Sequence, residues 1–449
     1  MDVNLTMNLV QKIADLKKNH GAMKYLKNTS WLLGEKILRI VVGLFIGIWI
    51  ARYLGPENFG IFSYAQSFVG LFLAIATLGL DGIVVRELVN HSDQREQLLG
   101  SAFILKLAGS ILVLILIAIS MQFNDNDLTT VTLIFIIASA TVFQSFNVID
   151  FYFQSKVLSK YVVYSNIFTL LLSSIIKVVL ILNEAPLIAF AYVILFDSFV
   201  LMSGLICFYF KQSLSIFHWK VSVNSIYSLL KDCWPLILSG FVVSLYMNID
   251  QVMIKSMLDS SAVGQYAAAV RISQAWYFIP MVISASLFPA ILNAKKVTDE
   301  LYKDRLQGLY DIMLWLAIVI AVPVTFFGEF IIHLLYGDEY SEAAGVLIIH
   351  IWTGIFIFLG LASTKWFIAE NLQKVLFYRA LLGAVLNICL NYILIPKYGI
   401  KGAAISTLIA QLFASYLFNL THKKLLITFK LQSKSILWPV RKIKLFSNS

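Results

Sequence analysis

Twelve runs of about twenty predominantly apolar residues follow one another along this 449-residue chain, and no other feature limits its fold so strongly. Coiled at ~1.5 Å per residue, such a run matches the ~30 Å hydrocarbon thickness of a bilayer. The runs lie near 32–53, 60–80, 98–121, 129–153, 157–182, 186–210, 232–257, 263–293, 307–333, 343–367, 373–395 and 400–421. Hydrocarbon offers no partner to a peptide group, so a spanning segment must satisfy its own backbone, as a helix or within a closed barrel. These runs are continuous and lack the alternation of barrel strands. The expected fold is therefore an all-α membrane protein with twelve transmembrane helices. Only 13% of residues are charged and 59% are hydrophobic, where a soluble domain carries about a quarter charged residues. No room is left for a sizeable soluble domain.

The charge distribution orients the chain. With the amino terminus inside, the inner segments hold 26 of the 35 Lys and Arg residues, and the six outer loops hold four, Arg52, Lys255, Lys397 and Lys401. Omitting one helix would invert this bias, so the count supports an even number of crossings with both termini cytoplasmic. Acids mark the outer loops instead: Asp125, Asp127, Glu184, Asp338 and Glu339. The net charge of +10 is thus largely topological, and no nucleic-acid partner is needed to explain it. Within residues 1–30, Leu5, Leu9, Ile13 and Leu16 recur at helical spacing among five lysines, which predicts a cytoplasmic amphipathic helix along the membrane surface rather than a cleaved signal. A basic cytoplasmic tail, 426–449, is expected to anchor on anionic lipid. Cys207, Cys233 and Cys389 have no CxxC spacing and predict neither a disulfide framework nor a metal site.

An internal repeat divides the chain. LGPENFGIFSYA from Leu54 and LDSSAVGQYAAA from Leu258 share Leu, Gly and Ala at an offset of 204, and NEAPLIAFAYVI from Asn183 matches KYGIKGAAISTL from Lys397 at an offset of 214. Two pseudo-symmetric six-helix bundles follow, 31–210 and 231–425, joined by a cytoplasmic linker at 211–230. An axis along the membrane normal and a cavity between the bundles are expected.

Covalent chemistry is not indicated: there is no phosphate-cradling glycine loop, no nucleophile elbow and no His cluster, His333 and His350 being isolated. Ionisable groups inside apolar helices carry the information, because each costs ~2.5 to 3.5 kcal/mol or more at mid-bilayer unless it faces a partner or a wet cavity. Arg271 and Asp250 each lie about nine residues from the same outer turn, roughly 13 Å deep on adjacent helices. They read either as a structural ion pair or as an anion-binding Arg with Asp250 its counter-charge. Glu35, Lys36 and Arg39 form a cluster near the inner face, level with Asp81; it reads as snorkelling side chains or as a phosphate-receiving site. Lys106 lies deeper. Lys177 is placed to snorkel outward, and Asp197 has no assignable partner at its depth, which predicts a cavity-facing carboxylate or a helix–helix hydrogen bond. Pro280, Pro289 and Pro323 predict kinks. Trp31, Trp234 and Trp366 read as interfacial anchors, and Trp276, close in sequence to Arg271, reads as a packing residue or as the one aromatic placed for stacking on a sugar.

The run ARYLGPENFGIFSYAQSFVGLF from Ala51, LGLDGIVVREL from Leu78, NIDQVMIKSML with VGQYAAAVRIS ending at Ser273, and NYILIPKYGIKGAA from Asn391 resemble the polysaccharide and O-antigen flippases of the multidrug, oligosaccharidyl-lipid and polysaccharide exporter superfamily. The resemblance implies translocation of a polyprenyl-diphosphate-linked oligosaccharide from the cytoplasmic to the outer leaflet of a bacterial inner membrane by alternating access. It also implies a cationic lumen, at positions here occupied by Lys36, Arg39, Lys106, Lys177 and Arg271, and no cofactor. Expected partners are the lipid-linked glycan, membrane lipids and glycan polymerase or chain-length proteins. Protons or sodium are the candidate coupling ions, with Asp250 and Asp197 as carriers. The competing readings are a multidrug or cation antiporter of the same superfamily, whose cavity should be dominated by acids, and a membrane glycosyltransferase or polymerase, for which the loops are too short.

Overall fold

The computed structural model describes residues 20–124 and 126–438, with side chains from Asn28 onward, Gln373 excepted. Most of the expected amphipathic amino-terminal segment, Asp125 and the tail cations Arg441, Lys442 and Lys444 lie outside the described residues. Among the described residues every regular element is helical. Ten helices among the described residues are long and apolar enough to cross a membrane, or eleven when one bent pair counts as a single span. Large apolar side chains such as Phe45, Phe168, Ile175, Phe326 and Phe330 are exposed, as a hydrocarbon solvent permits.

Helix α1, His20–Thr77, combines two of the expected segments. Its apolar stretch, continued to Asn90, covers 63 residues, about three times the length a bilayer needs. The chain turns at Gly55, whose φ of 70° belongs to the left-handed region that glycine enters freely. Pro56 then opens the second limb, where its missing N–H is not needed.

The chain groups into two compact units. The first runs to Ile46 and resumes over Leu73–Leu238; the second comprises Gly47–Phe72 and everything from Ser239. The grouping therefore differs from division at the linker, since the Gly55 corner belongs with the second unit. In the first unit, α2 (Leu80–Asn90), α3 (Arg95–Met121), α4 (Leu128–Gln144), α5 (Val148–Ser155), α6 (Lys160–Leu182) and α7 (Leu187–Lys211) enclose a core around Leu80, Leu99, Val148, Phe153 and Tyr209. The linker is shorter than the expected 211–230, because α8 (Val223–Met257) already begins at Val223. It lies on the start of α3, where Ser222 N donates to Ser101 Oγ at 3.1 Å and the Lys220 carbonyl fills the space a Cβ on Gly100 would need.

The second unit contains α9 (Ser260–Ala275), α10 (Phe278–Val297), α11 (Asp299–Tyr336), α12 (Ser341–His350), α13 (Thr353–Ala369), α14 (Gln373–Tyr398), α15 (Ile400–Ser415) and α16 (Leu426–Ile436). Here the two repeated segments meet. A Cβ on Gly60 would strike the Ser260 carbonyl and approach Gly264 N, while one on Gly264 would strike the Pro56 carbonyl and approach Gly60 N. At the offset of 204, Ser260 corresponds to Pro56 and Gly264 to Gly60, so the contact is reciprocal.

Two expected helices are broken. The segment 263–293 divides at Trp276 and Tyr277, because Pro280 has no N–H to offer the Trp276 carbonyl; Ile279 N donates to that carbonyl instead at 3.1 Å. Pro289 and Pro323 stay inside α10 and α11. The segment 343–367 bends by 46° between α12 and α13 without a proline, and there the Thr353 hydroxyl donates to the His350 carbonyl at 2.6 Å. Within the expected basic tail, Gln307 on α11 donates to Ser435 Oγ at 3.0 Å and Trp315 Nε1 to the Ser435 carbonyl at 3.0 Å, docking α16. Trp366, expected at an interface, is buried against Phe367 in the core of this unit.

Candidate functional site

Arg271 sits on α9 with its guanidinium 5.2 Å from the centre of the Phe59 ring. The missing side chain of Gly47 makes the space, since a Cβ there would collide with the guanidinium. Tyr340 is fixed by donating to the Ala51 carbonyl at 2.6 Å and by ring contacts with Phe59 and Tyr336. Among the described residues Arg271 pairs with no carboxylate. Aromatic faces stabilise the cation but leave its charge uncancelled, which suits it to receive an anion.

The expected pairing with Asp250 does not form. Asp250 accepts hydrogen bonds from Tyr266 Oη at 2.6 Å, Thr407 Oγ1 at 2.7 Å and Asn391 Nδ2 at 2.7 Å. Tyr266 and Arg271 are five residues apart on α9, about 140° around its axis, so the face that holds Asp250 is turned away from the guanidinium. Depth was matched and azimuth was not. Around Asp250 the neighbours are mostly oxygens: Asn391 Nδ2 also donates to Asn387 Oδ1 at 3.2 Å, and Asn391 Oδ1 is buried without a partner. Such a set presents hard ligands rather than the nitrogen or sulfur that transition metals prefer.

Lys177 and Asp197 correct the sequence reading together. Lys177 Nζ lies 3.3 Å from Asp197 Oδ2 and donates to Ser173 Oγ at 2.7 Å, while Ser173 donates to Asp197 at 2.8 Å. Helical side chains lean toward their own amino terminus, so Lys177 reaches along α6 to the middle of α7 instead of snorkelling away from it. Arg39 pairs with the buried carboxylate of Glu35 one turn earlier, its Nε at 2.8 Å. Lys36 points to the exposed side of α1 and joins neither group. Lys106 is buried at 3% exposure with Nζ 5.1 Å from the Phe151 ring centre, near enough to Asp81 and Asp150 to feel both charges. Trp276 stands at the α9–α10 break and is 38% exposed.

Two partners escaped the sequence reading. Asp150 is, with Asp81, one of two acids whose charge Lys106 feels; its signal is an acid inside the fourth apolar run. Arg379, counted with an inner loop, lies in the second turn of α14 and donates to the Gly360 carbonyl at 3.4 Å, with its guanidinium 5.6 Å from the Phe367 ring centre. The five expected cations therefore separate into one without a carboxylate, Arg271, one buried between aromatic and acidic neighbours, Lys106, two neutralised in pairs, Arg39 and Lys177, and one exposed, Lys36.

The family model described as polysaccharide biosynthesis protein matches residues 25–295, and a MatE model matches 235–393. The chain is 25% identical over 415 residues to a protein described as probable flippase AglR of Haloferax volcanii, covering 88% of this chain and 82% of that one. It is 28% identical to an uncharacterized membrane protein of Methanocaldococcus jannaschii, of which it spans 48%. The fold is similar to that of the lipid II flippase MurJ in an inward closed conformation, with a TM-score of 0.67 at 18% identity over 90% of this chain and 91% of that one. By the extent of the first match and the shared fold, this multi-pass membrane chain belongs to the polysaccharide biosynthesis protein family.

Proposed function

We propose that the protein moves a polyprenyl-diphosphate-linked oligosaccharide, an O-antigen or related surface-polysaccharide unit, from the cytoplasmic to the outer leaflet of the bacterial inner membrane by alternating access. The observation that carries this reading is Arg271, an uncancelled guanidinium in an apolar segment, with a glycine left bare beside it. A lipid diphosphate cannot cross hydrocarbon with its sugars, and a fixed cation in a low-dielectric setting lowers the barrier for its head. With the cell interior negative, export of an anion is downhill by ~2.3 kcal/mol per charge per 100 mV, so ion coupling is a supplement rather than a requirement. The Asp250 cluster is the better of the two candidate carriers for a coupling proton or sodium ion, since Asp197 is already matched by Lys177. Dividing α1 at Gly55 and taking α12 with α13 as one supports a reading of twelve crossings, and the excess of Lys and Arg in the inner loops supports both ends being cytoplasmic.

The test is a proteoliposome assay with a fluorescent polyprenyl-diphosphate oligosaccharide, read by its exposure to an impermeant glycosidase. Protein is expected to raise the exposed fraction above that of empty vesicles, and a sodium or proton gradient to change the rate in the native chain but not in Asp250→Asn. Exposure equal to that of empty vesicles would remove the proposal. For the topology, a reporter fused after Lys211 is expected to read cytoplasmic; an outer-face signal breaks the twelve-crossing assignment.

A further inference from the structure

A second polar site lies wholly inside the first unit. A cavity of about 380 Å³ is lined by Arg39 from α1, Gln144 and Asn147 at the α4–α5 junction, and polar side chains of α6 and α7. This volume falls within the roughly 300–1,000 Å³ of small-ligand pockets. Its charges are already balanced, Lys177 by Asp197 and Arg39 by Glu35. A diphosphate would gain little from it.

What the cavity offers instead is hydrogen bonding left unused. Asp197 Oδ1 is buried with no partner. Asn147 and Asn166 make no side-chain hydrogen bond among the described residues, and Gln144 makes only a 3.5 Å contact with Ser198. Membrane helices bury such amides at a cost, because each then needs a partner from another helix or a ligand. Amides present a donor and an acceptor side by side, and a carboxylate oxygen adds an acceptor. Sugar hydroxyl and acetamido groups need that mixture, with no net charge.

We propose that this cavity is a neutral-sugar subsite, in which Asn147, Asn166, Ser198 and Asp197 read hydroxyl and acetamido groups of the glycan. Lys177 then orients Asp197, and Arg39, held by Glu35, closes one wall; neither holds phosphate. The identity of the ligand rests on the flippase reading given above; the existence of the subsite does not.

Native mass spectrometry of the full chain, with a bare polyprenyl diphosphate and the same lipid bearing one N-acetylglucosamine, tests it. The native chain is expected to prefer the sugar-bearing lipid by about tenfold, the effect of one or two well-made hydrogen bonds. In Asn166→Ala combined with Ser198→Ala the preference disappears while binding of the bare lipid is unchanged; Arg271→Ala weakens both lipids and keeps their ratio. Equal binding of the two lipids by the native chain, or a preference that survives the double substitution, overturns the subsite. If neither lipid binds better than polyprenol, the flippase reading fails instead. The cavity is then judged by Ser198→Cys in a background lacking the native cysteines: protection from a thiol reagent by millimolar diacetylchitobiose upholds the subsite, and its absence overturns it.

Discussion

Arg271→Ala is expected to cut surface glycan at least tenfold in cells that depend on this chain, with the amount of protein in the membrane unchanged. A hydrogen bond to a charged group contributes about 1.5 to 3 kcal/mol, or about ten- to a hundredfold in binding. The second half of the expectation follows from the missing carboxylate. Removing one member of a buried ion pair strands the other and destabilises the fold, but Arg271 leaves nothing stranded. Arg271→Lys keeps the charge and gives up the planar fork and its stacking on Phe59, so an intermediate yield is expected. Normal glycan from the Ala variant would remove Arg271 from the substrate path and leave it as a packing residue.

Gly264→Val carries the other large effect, and it concerns folding. The new side chain would meet the Pro56 carbonyl, and Gly60→Val would meet that of Ser260. Both obstacles are backbone inside helices, which cannot rotate away as a side chain does. Overpacking of this kind costs about 3 kcal/mol or more, enough to lower the yield of monodisperse protein and its melting temperature sharply. By reciprocity the two variants should be affected alike. Gly308→Ala is the control, since nothing lies within 4 Å of the added methyl, and a helical Gly→Ala change of this kind is neutral or stabilising by about 0.5–1 kcal/mol. Equal melting temperatures for Gly264→Val and Gly308→Ala would show that the close approach is not needed.

Apolar length was legible in the sequence because hydrocarbon sets it directly, and the corner at Gly55 was legible as a gap between two runs. The break at Trp276 had its proline; the bend after His350 had no comparable mark, since a Thr hydroxyl taking up a carbonyl looks like any other Thr. Charges could be placed in depth by counting residues but not around the helix axis. Arg271 and Asp250 were therefore matched wrongly, whereas Lys177 and Asp197, at different depths by count, meet through the lean of a long side chain. The approach of Asp150 to Lys106 is not legible, because the two come from different helices and sequence spacing carries no information on which helices adjoin. The repeat, faint as a string of letters, marked the two glycines that touch.

That touching pair has the form of an isologous interface, in which one patch meets its own copy. A chain that carries the patch twice has its dimerisation partner built in, as fusion of two identical subunits would leave it. Neither glycine can then change alone: added bulk on one copy lands on the other's backbone.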